Sequence, residues 1–306
     1  MLKIALLGAT SHIAKGLIYY FHQKPENYRL YLFARNLDSL NNFINKNLKK
    51  TENLSLSAIE NFDNTFYDII INCVGVGDPA KLKKIKEEIF FITELYDNKI
   101  LTNLKNNPES LYINFSSGAV YGKEFEKSVQ SESSLSIQVN QIEESDYYTI
   151  AKLNSEAKHR ALKNYSIIDL RVFSYFSRFI DLDSKFFMTD VVNALINKTV
   201  LETNDRDMIR DFVSPEDLFL LVEKCLQSRH NAVYDVYSLE PVSKFKILDF
   251  FKEKYKLNYI FKNNLNLISA TGKKNIYYSN NKTAERIGYL PRQTSLESLE
   301  EEINFF

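Results

Sequence analysis

The amino-acid sequence predicts an α/β protein built on a doubly wound parallel sheet, with a smaller C-terminal part interleaved with it. Over about the first 170 residues, apolar runs with the length of strands alternate with helical patterns. The first run ends in a turn at Gly8, where a strand passes into a helix. Two later runs, residues 67–74 and 111–115, are largely apolar, which is typical of strands covered by helices on both faces.

Composition and charge argue against several classes of protein. The chain has 306 residues, of which 44% are hydrophobic and 25% are charged, as in ordinary globular proteins. Lys plus Arg and Asp plus Glu number 39 each, so no net charge attracts nucleic acid or a membrane surface. No run approaches the roughly 20 apolar residues of a transmembrane helix. The first apolar run is too short for a signal peptide, so we expect a cytoplasmic protein. Cys73 and Cys225 are isolated, and we expect no metal site.

The turn after the first strand has the spacing of a dinucleotide-binding unit. Such a unit needs a glycine for the tight turn, a small residue beside the pyrophosphate and another where helix packs on strand. Gly8, Ser11 and Ala14 occupy these places, so two of the three glycines are replaced. The helix start would offer N–H donors and a positive dipole to the phosphates. We therefore expect cofactor contacts from Gly8, Thr10, Ser11, His12 and Ile13, although His12 also fits a capping or surface role.

The residue at the end of the second strand bears on the choice of cofactor. An NAD-binding unit usually has an acidic residue there, which binds the ribose hydroxyls. This chain has Arg35 after the strand over residues 28–33, and an arginine suits the 2′-phosphate of NADP. The sequence thus predicts NADP(H) as the preferred cofactor, with NAD(H) possible. The competing interpretation is an exposed arginine without a ligand.

Strands and helices continue to alternate along the chain. We expect a helix over 37–49, a strand near 54–58, a strand over 67–74, a helical run over 81–104 and a strand over 111–115. The last of these strands runs into Ser116 and Ser117. Hydroxyls at the carboxyl end of a parallel strand lie where open α/β sheets bind their ligands.

A tyrosine and a lysine four residues apart form a candidate acid–base pair. Tyr148 and Lys152 lie in a segment with the pattern of a helix that begins near Ser145. Residues at i and i+4 share a helix face, with Cβ atoms roughly 5–6 Å apart. The ammonium would favour the phenolate form of the tyrosine, which could exchange a proton with a substrate hydroxyl or carbonyl. Taken alone, this spacing also fits an ordinary exposed pair of helix residues.

Several segments, taken together, resemble one enzyme family. They are the Gly8 turn, residues 72–75, the Ser-Ser-Gly-Ala-Val-Tyr-Gly segment 116–122, Tyr148 with Lys152, residues 170–173, the Arg-Asp-Phe-Val segment that begins at Arg210, and residues 232–238 and 287–291. In this order they are similar to the extended short-chain dehydrogenases/reductases of the NAD(P)-dependent nucleotide-sugar epimerase/dehydratase/reductase family. The resemblance covers nearly the whole chain and implies a Rossmann sheet.

The resemblance implies roles for the catalytic and cofactor residues. Ser117 would hydrogen-bond the reacting sugar oxygen, and Tyr148 would donate or remove the proton. Lys152 would hold the nicotinamide ribose. Tyr147 is the alternative phenol, but its spacing to the lysine is one residue too long. Further cofactor contacts would come from Asn72, Val74 and Gly75.

The implied substrate contacts are Ser117, Tyr121, Ser174 and Arg210. Arg210 would contact the nucleotide diphosphate, unless it forms a structural ion pair with Asp211 or Asp217. Ser174 stands where many relatives have an asparagine, so the sugar pocket would differ from theirs. The implied partner is a nucleotide-diphosphate sugar, with no nucleic acid and no membrane.

Three functions remain open at this point. The leading one is an NADPH-dependent reductase of a nucleotide-linked 4-keto sugar, which Arg35 favours. The second is an NAD-dependent nucleotide-sugar 4-epimerase, which would use the same residues. The third is a non-catalytic NADP-binding regulator, which would not need Ser117, Tyr148 and Lys152 together. A dehydratase is disfavoured, because dehydratases of the family usually have carboxylates beside the catalytic hydroxyl, whereas Gly118 follows here.

The expected domain organisation has two parts. Residues 1–170 form the dinucleotide-binding domain, and residues 171–306 form the substrate-binding part, with the strand over 232–238 returning to the main sheet. Function should then lie in the cleft between the two parts. Family members often dimerise through two helices, so the resemblance also implies a homodimer, with the helices that begin near Lys81 and Ser145 at its interface.

Overall fold

The computed structural model describes residues 1–262 and 274–306, and these residues form a seven-stranded sheet. Its strands are β1 (Leu2–Leu7), β2 (Tyr28–Ala34), β3 (Leu54–Ala58), β4 (Ile69–Asn72), β5 (Leu111–Ser117), β6 (Ser166–Val172) and β11 (Ala232–Asp235). They lie in the order β11-β6-β5-β4-β1-β2-β3, and every neighbouring pair is parallel. The expected α/β fold with a doubly wound parallel sheet is confirmed.

The helices begin and end at residues that explain their limits. They are α1 (His12–His22), α2 (Leu37–Asn47), α3 (Pro79–Ile85), α4 (Glu88–Asn106), α5 (Glu144–Ala161), α6 (Phe187–Asn197), α7 (Pro215–Gln227), α8 (Lys244–Tyr255) and α9 (Ser295–Ile303). The single helical run expected over 81–104 is two helices. Asp78 caps the first one ahead of Pro79, and Lys86, at φ 46°, ends it. A residue with positive φ cannot continue a right-handed helix, so α4 starts afresh.

Among the described residues, short strands form three small sheets outside the main one. They are β7 (Ser174–Tyr175), β8 (Leu201–Thr203), β9 (Ile209–Arg210), β10 (Phe212–Val213), β12 (Val242–Ser243), β13 (Tyr259–Phe261) and β14 (Ile276–Tyr277). Strand β9 lies between β12 and β14, while β10 pairs with β7 and β13 with β8. A separate apolar cluster, which includes Phe176, Val191 and Phe251, packs beneath them. Residues 263–273 of the expected substrate-binding part lie outside the described residues.

The main sheet is covered on both faces because its inner strands carry apolar residues on both sides. In β1, Ile4 and Leu6 belong to one apolar cluster, whereas Ala5 and Leu7 belong to a second cluster on the other face. All four side chains are fully buried. Burying a side chain such as Leu or Ile contributes about 1.5–3 kcal/mol. Because packed side chains cover both faces of the sheet, a ligand can bind only at the edge formed by the carboxyl ends of the strands.

A buried polar cluster attaches α4 and α5 to the sheet. His159 on α5 lies between the carboxylates of Asp97 on α4 and Asp169 on β6, at 2.7 and 2.9 Å. Burial alone would lower the pKa of His159, but the hydrogen bonds to both carboxylates raise it to about 9. The imidazolium separates two carboxylates that are themselves fully buried, and it compensates part of their charge. Tyr112 on β5 also donates to Asp97, at 2.9 Å.

The order of strand addition reverses at β1: β2 and β3 follow on one side of it, and β4 then pairs with its other side. Open α/β sheets bind ligands at such a switch point. Gly8 leaves β1 with φ +75°, and a Cβ atom built on it would lie 2.9 Å from the backbone of Cys73 and Val74. No side chain fits this position without moving the chain that follows β4.

We expect Gly8→Ala to destabilise the protein. The positive φ alone costs roughly 1–2 kcal/mol for a residue with a Cβ, and the contact with the Cys73 backbone adds to it. Urea unfolding would measure the change in the free energy of unfolding. The control is Gly77→Ala, where nothing lies within 4 Å of the added Cβ. Equal stability of the two variants would contradict the close approach at Gly8.

Candidate active site

The turn after β1 and the residues after β4 lie side by side. The Ser11 hydroxyl accepts a hydrogen bond from the backbone N–H of Ala14 at 3.3 Å and so caps α1. The side-chain oxygen of Asn72 accepts one from the backbone N–H of Val74 at 3.0 Å, which shapes the exit from β4. The expected residues of the turn, including Thr10 and Ile13, are therefore gathered at the switch point. The N-terminus of α1 is available there for a phosphate.

His12 is part of this turn but carries no charge. Its Nε2 lies 2.7 Å from Oγ of Ser177, and its ring packs on that of Tyr175 with centroids 4.7 Å apart. Burial lowers the pKa of His12 to about 3, so the imidazole is neutral at physiological pH. The cap of α1 is Ser11 rather than His12, so His12 connects the turn to the segment after β7.

Side chains of helix α5 form hydrogen bonds to the end of β5 and to the turn that follows it. Nζ of Lys152, on a side chain that is almost fully buried, donates to the carbonyl of Phe115 at 2.8 Å. Oγ1 of Thr149 donates to the carbonyl of Ala119 at 3.0 Å. A Cβ atom on Gly75 would lie 3.6 Å from Nζ of Lys152. The structure therefore brings the lysine, the end of β5 and the chain after β4 together.

Of the two neighbouring tyrosines on α5, Tyr148 lies nearer this lysine. The centroid of its ring is 6.0 Å from Nζ of Lys152. Tyr147 instead packs against Phe90 of α4, with ring centroids 5.4 Å apart. The geometry favours Tyr148 as the phenol that faces the end of β5.

The two serines at the end of β5 have different surroundings. Ser116 donates to Glu156 at 2.6 Å, so its hydroxyl proton is already used in a hydrogen bond within the protein. Ser117 accepts from the backbone N–H of Ala119 at 3.2 Å, and its Oγ lies 3.3 Å from the hydroxyl of Tyr277. Burial raises the pKa of Tyr277 above the ordinary range, so its phenol is neutral. Ser117 is thus the serine whose hydroxyl can turn towards a substrate.

Tyr121, an expected substrate contact, has its hydroxyl in an ion network. The hydroxyl accepts from Arg171 at 2.6 Å and donates to Asp235 at 3.0 Å. Arg171 also forms a bidentate pair with Glu156, in which Nε donates to Oε1 and Nη2 to Oε2. Burial and the charge of Asp235 raise the pKa of Tyr121 to about 12. Only the ring of Tyr121 is left for a substrate, since its hydroxyl supports the end of β6.

The alternative structural role of Arg210 is not observed among residues 1–262 and 274–306. Asp211 accepts from the backbone N–H of Ser238, and Asp217 accepts from that of Arg292. Arg210 donates to the carbonyl of Ile209 at 2.9 Å instead. Burial lowers its pKa to about 10. Its guanidinium is therefore partly desolvated and held by carbonyl oxygens rather than by a carboxylate.

The two other expected contacts lie at the margins of the site. Ser174 is in β7, two residues after β6 ends, where it pairs with Phe212. Arg35 is exposed directly after β2, and the next residue, Asn36, caps α2 by accepting from Ser39 at 2.9 Å. The structure describes no side-chain partner for Arg35 among the residues it covers.

Sequence reasoning missed Tyr277 and Lys274. Nζ of Lys274 lies 4.2 Å from the ring centroid of Tyr277, and Arg210 approaches the same ring. A two-residue strand, β14, brings them beside β9. No local signal could have found them, because the chain has 19 tyrosines and this pairing joins segments about 65 residues apart.

The described residues contain no cluster of His, Cys, Asp and Glu that could hold a metal ion. None of the helices in this part of the chain is long and apolar enough to cross a membrane.

Comparison with known proteins gives a family and a set of structural neighbours. The family model described as NAD dependent epimerase/dehydratase family matches residues 4–239. No curated protein sequence matches the chain.

Three of the similar solved structures show how closely the fold is shared. A UDP-N-acetylglucosamine 4-epimerase from Methanobrevibacter ruminantium M1, solved with UDP-N-acetylmuramic acid, is 15% identical with a TM-score of 0.81, covering 100% of this chain and 98% of its own. A UDP-glucuronic acid 4-epimerase from Bacillus cereus, solved with UDP-glucuronic acid and NAD, is 17% identical with a TM-score of 0.79, covering 99% and 98%. A dTDP-glucose 4,6-dehydratase from Bacillus anthracis, solved with NAD, is 15% identical with a TM-score of 0.75, covering 100% and 96%. At these identities the likeness establishes the fold alone.

Proposed function

Because the chain belongs to the NAD dependent epimerase/dehydratase family, we propose that it is an enzyme that inverts C4 of a nucleotide-linked sugar. The observation that carries the proposal is the convergence of Ser117, Tyr148 and Lys152 at the carboxyl edge of β5, next to Gly75. This replaces the reductase as the leading interpretation. Two of the three similar structures described above are 4-epimerases that bind UDP-sugars, and they cover nearly the whole chain.

Each of the three residues would have a separate task. Tyr148 would move a proton to and from the C4 oxygen, as a general acid and base. Ser117 would hydrogen-bond the same oxygen, and Lys152 would hold the nicotinamide ribose. The Gly8 turn and the start of α1 fit the pyrophosphate of a nicotinamide dinucleotide. When bound, such a cofactor would supply reversible hydride transfer.

Dehydration of the sugar is disfavoured by space as well as by sequence. A Cβ atom on Gly118 would lie 2.5 Å from the ring of Phe173. An acidic side chain beside Ser117 at this position would therefore need Phe173 to move. Both features leave the site without the extra carboxylate that the resemblance associates with dehydratases.

A second candidate is an NADPH-dependent reductase of a 4-keto sugar, and Arg35 favours it. An exposed guanidinium at the end of β2 suits a 2′-phosphate, because arginine binds phosphate through two parallel hydrogen bonds. The cofactor preference we propose is accordingly NADP(H) over NAD(H), whichever of the two reactions takes place. The substrate in both cases is a nucleotide-diphosphate sugar, with Arg210 near its diphosphate.

The test of the reaction is a panel of UDP-, GDP-, CDP- and dTDP-linked hexoses, supplied with each cofactor in turn. We expect C4 epimers to interconvert without net consumption of cofactor, as followed by chromatography and by dihydronicotinamide absorbance. Tyr148→Phe should lower turnover by about 10²–10⁴-fold, while the control Tyr147→Phe, which keeps the acid–base phenol, should be mild. Stoichiometric NADPH oxidation on a 4-keto sugar, without epimerisation, would establish the reductase instead.

Arg35→Ala should narrow the preference for NADPH over NADH by tenfold or more. The reason is the loss of a charge-assisted contact to phosphate, worth about 1.5–3 kcal/mol. Titration of both cofactors against wild type and variant measures it. Arg29→Ala is the matched control, since Arg29 is an exposed arginine on the same strand but away from its carboxyl end. Equal affinities of the wild type for the two cofactors would refute the preference.

We also propose a homodimer formed through α4 and α5. These helices pack on one another, and their outer faces expose Phe91, Leu95 and Leu153, with 62%, 37% and 36% of each side chain accessible. Phe91→Asp should convert the dimer to a monomer, as measured by light scattering. Phe66→Asp, at an exposed phenylalanine on neither helix, should leave the mass unchanged. A monomeric wild type would exclude the proposal.

A further inference from the structure

The side chain of Asn72 shapes the chain that leaves β4. Its Oδ1 accepts from the backbone N–H of Val74 at 3.0 Å. The next residue is Gly75, where an added Cβ would lie 3.6 Å from Nζ of Lys152. An asparagine amide has an acceptor at one end and two donors at the other. Oδ1 can therefore hold Val74 only while Nδ2 of Asn72 is kept on the opposite side.

Tyr112 on β5 supplies one acceptor for Nδ2 of Asn72. Nδ2 donates to the tyrosine hydroxyl at 3.1 Å, and this hydroxyl donates to Oδ1 of Asp97 at 2.9 Å. Burial alone would raise the pKa of Asp97, but hydrogen bonds from His159 and Lys158 lower it. Since a carboxylate can only accept, the proton of Tyr112 points at Asp97. The tyrosine oxygen is then left to accept from Asn72.

Asn114, also on β5, presents a second oxygen on the same side. Its Nδ2 donates at 2.7 Å to Asp169, the carboxylate on the other side of His159. Its Oδ1 is therefore turned towards Asn72, 3.5 Å from Nδ2. The hydroxyl of Tyr112 is 3.5 Å from this oxygen too, a longer contact than the one to its carboxylate. Both branches start at one imidazolium, and both offer only oxygen atoms to Nδ2 of Asn72.

Burial makes this arrangement hard to replace. The side chains of Tyr112 and Asp97 are fully buried, and those of Asn72 and Asn114 are at most 5% exposed. Burial also raises the pKa of Tyr112 well above its ordinary value, so the phenol is neutral. Away from solvent, a donor that loses its partner stays unsatisfied. A reversed amide at Asn72 would place an NH2 group against the N–H of Val74 and an oxygen against two oxygens.

We propose that Tyr112 is a positioning residue of the cofactor site. Its hydroxyl, anchored on Asp97, fixes the orientation of the Asn72 amide and thereby the backbone that a nicotinamide dinucleotide contacts after β4. The inference rests on the proposed function, because it takes Val74 and Gly75 as cofactor contacts. Tyr112 itself is fully buried, so it acts through Asn72.

The first test is the binding of NADPH and NADH to wild type and to Tyr112→Phe, followed by dihydronicotinamide fluorescence. The substitution keeps the ring and removes only the hydroxyl. We expect both cofactors to bind about threefold to tenfold more weakly, as the loss of a buried hydrogen bond implies. Tyr28→Phe is the matched control. Its phenol also donates to a carboxylate, Glu223 at 3.0 Å, but lies at the first residue of β2, far from the carboxyl edge.

A double-mutant cycle separates a positioning role from a general loss of stability. If Tyr112 acts through Asn72, Tyr112→Phe should have no further effect on cofactor affinity in the Asn72→Ala background. Independent effects of the two substitutions would instead multiply. Asn114→Ala, which breaks the second branch, is placed in the same cycle and decides the question if Tyr112→Phe does not fold.

Hydrogen exchange measures the orientation of Asn72 without any cofactor. In Tyr112→Phe, the amide proton of Val74 should exchange faster than in wild type, because its acceptor is no longer held in place. The reference is the amide proton of Leu6 in β1, at the centre of the sheet, which follows overall stability. We expect the rate to rise by a larger factor at Val74 than at Leu6.

Two results would overturn the inference. One is a loss of cofactor affinity of less than about threefold in Tyr112→Phe, and the other is the same loss with and without the Asn72 side chain. Failure of the proposed function looks different, because the wild type would then bind neither NADPH nor NADH. The exchange rates of Val74 and Leu6 would still decide whether Tyr112 orients Asn72.

Discussion

The docking of α5 on the end of β5 is the interaction on which the candidate site depends. The buried ammonium of Lys152 donates to a carbonyl in this strand at 2.8 Å, and the hydroxyl of Thr149 donates to a carbonyl in the turn after it at 3.0 Å. Successive residues of a helix point about 100° apart, so a slip of one residue would turn Tyr148 away from the site. Two hydrogen bonds to fixed carbonyls prevent such a slip. Tyr148 and Lys152 can therefore act together only if α5 keeps this position relative to β5.

The buried ion network beside this contact fixes the positions of neighbouring elements more than it adds to the stability of the fold. Glu156, Arg171 and Asp235 are largely or fully buried, and they are linked through the hydroxyl of Tyr121. The free-energy cost of desolvating buried charges offsets most of the favourable energy of their attraction. Removal of one partner, however, leaves an uncompensated buried charge and costs about 3–5 kcal/mol. The network therefore penalises alternative arrangements of β6, α5 and β11. Its carboxylates remain distinct from the groups that would touch a substrate.

The sequence predicted most of the main sheet because each strand carries its own local pattern. The run over 67–74, the serines that follow β5 and the turn at Gly8 needed no knowledge of distant residues. The break at Lys86 was missed because the positive φ of a lysine cannot be recognised from the spacing of apolar residues in the sequence. Tyr277 and Lys274 were missed for another reason. They reach the neighbourhood of Ser117 only through pairing of β14 with β9, and pairing between two-residue strands depends on the tertiary fold.

The position of β11 at the edge of the sheet has a consequence for biosynthesis. Strand β6 ends at Val172, but its outer partner begins at Ala232. Until that segment leaves the ribosome, β6 presents an open row of backbone donors and acceptors, which is a template for intermolecular aggregation. At about 5–20 residues per second, the interval lasts on the order of 3–12 seconds. A nascent chain of this protein therefore passes through a period in which β6 would benefit from shielding by a chaperone.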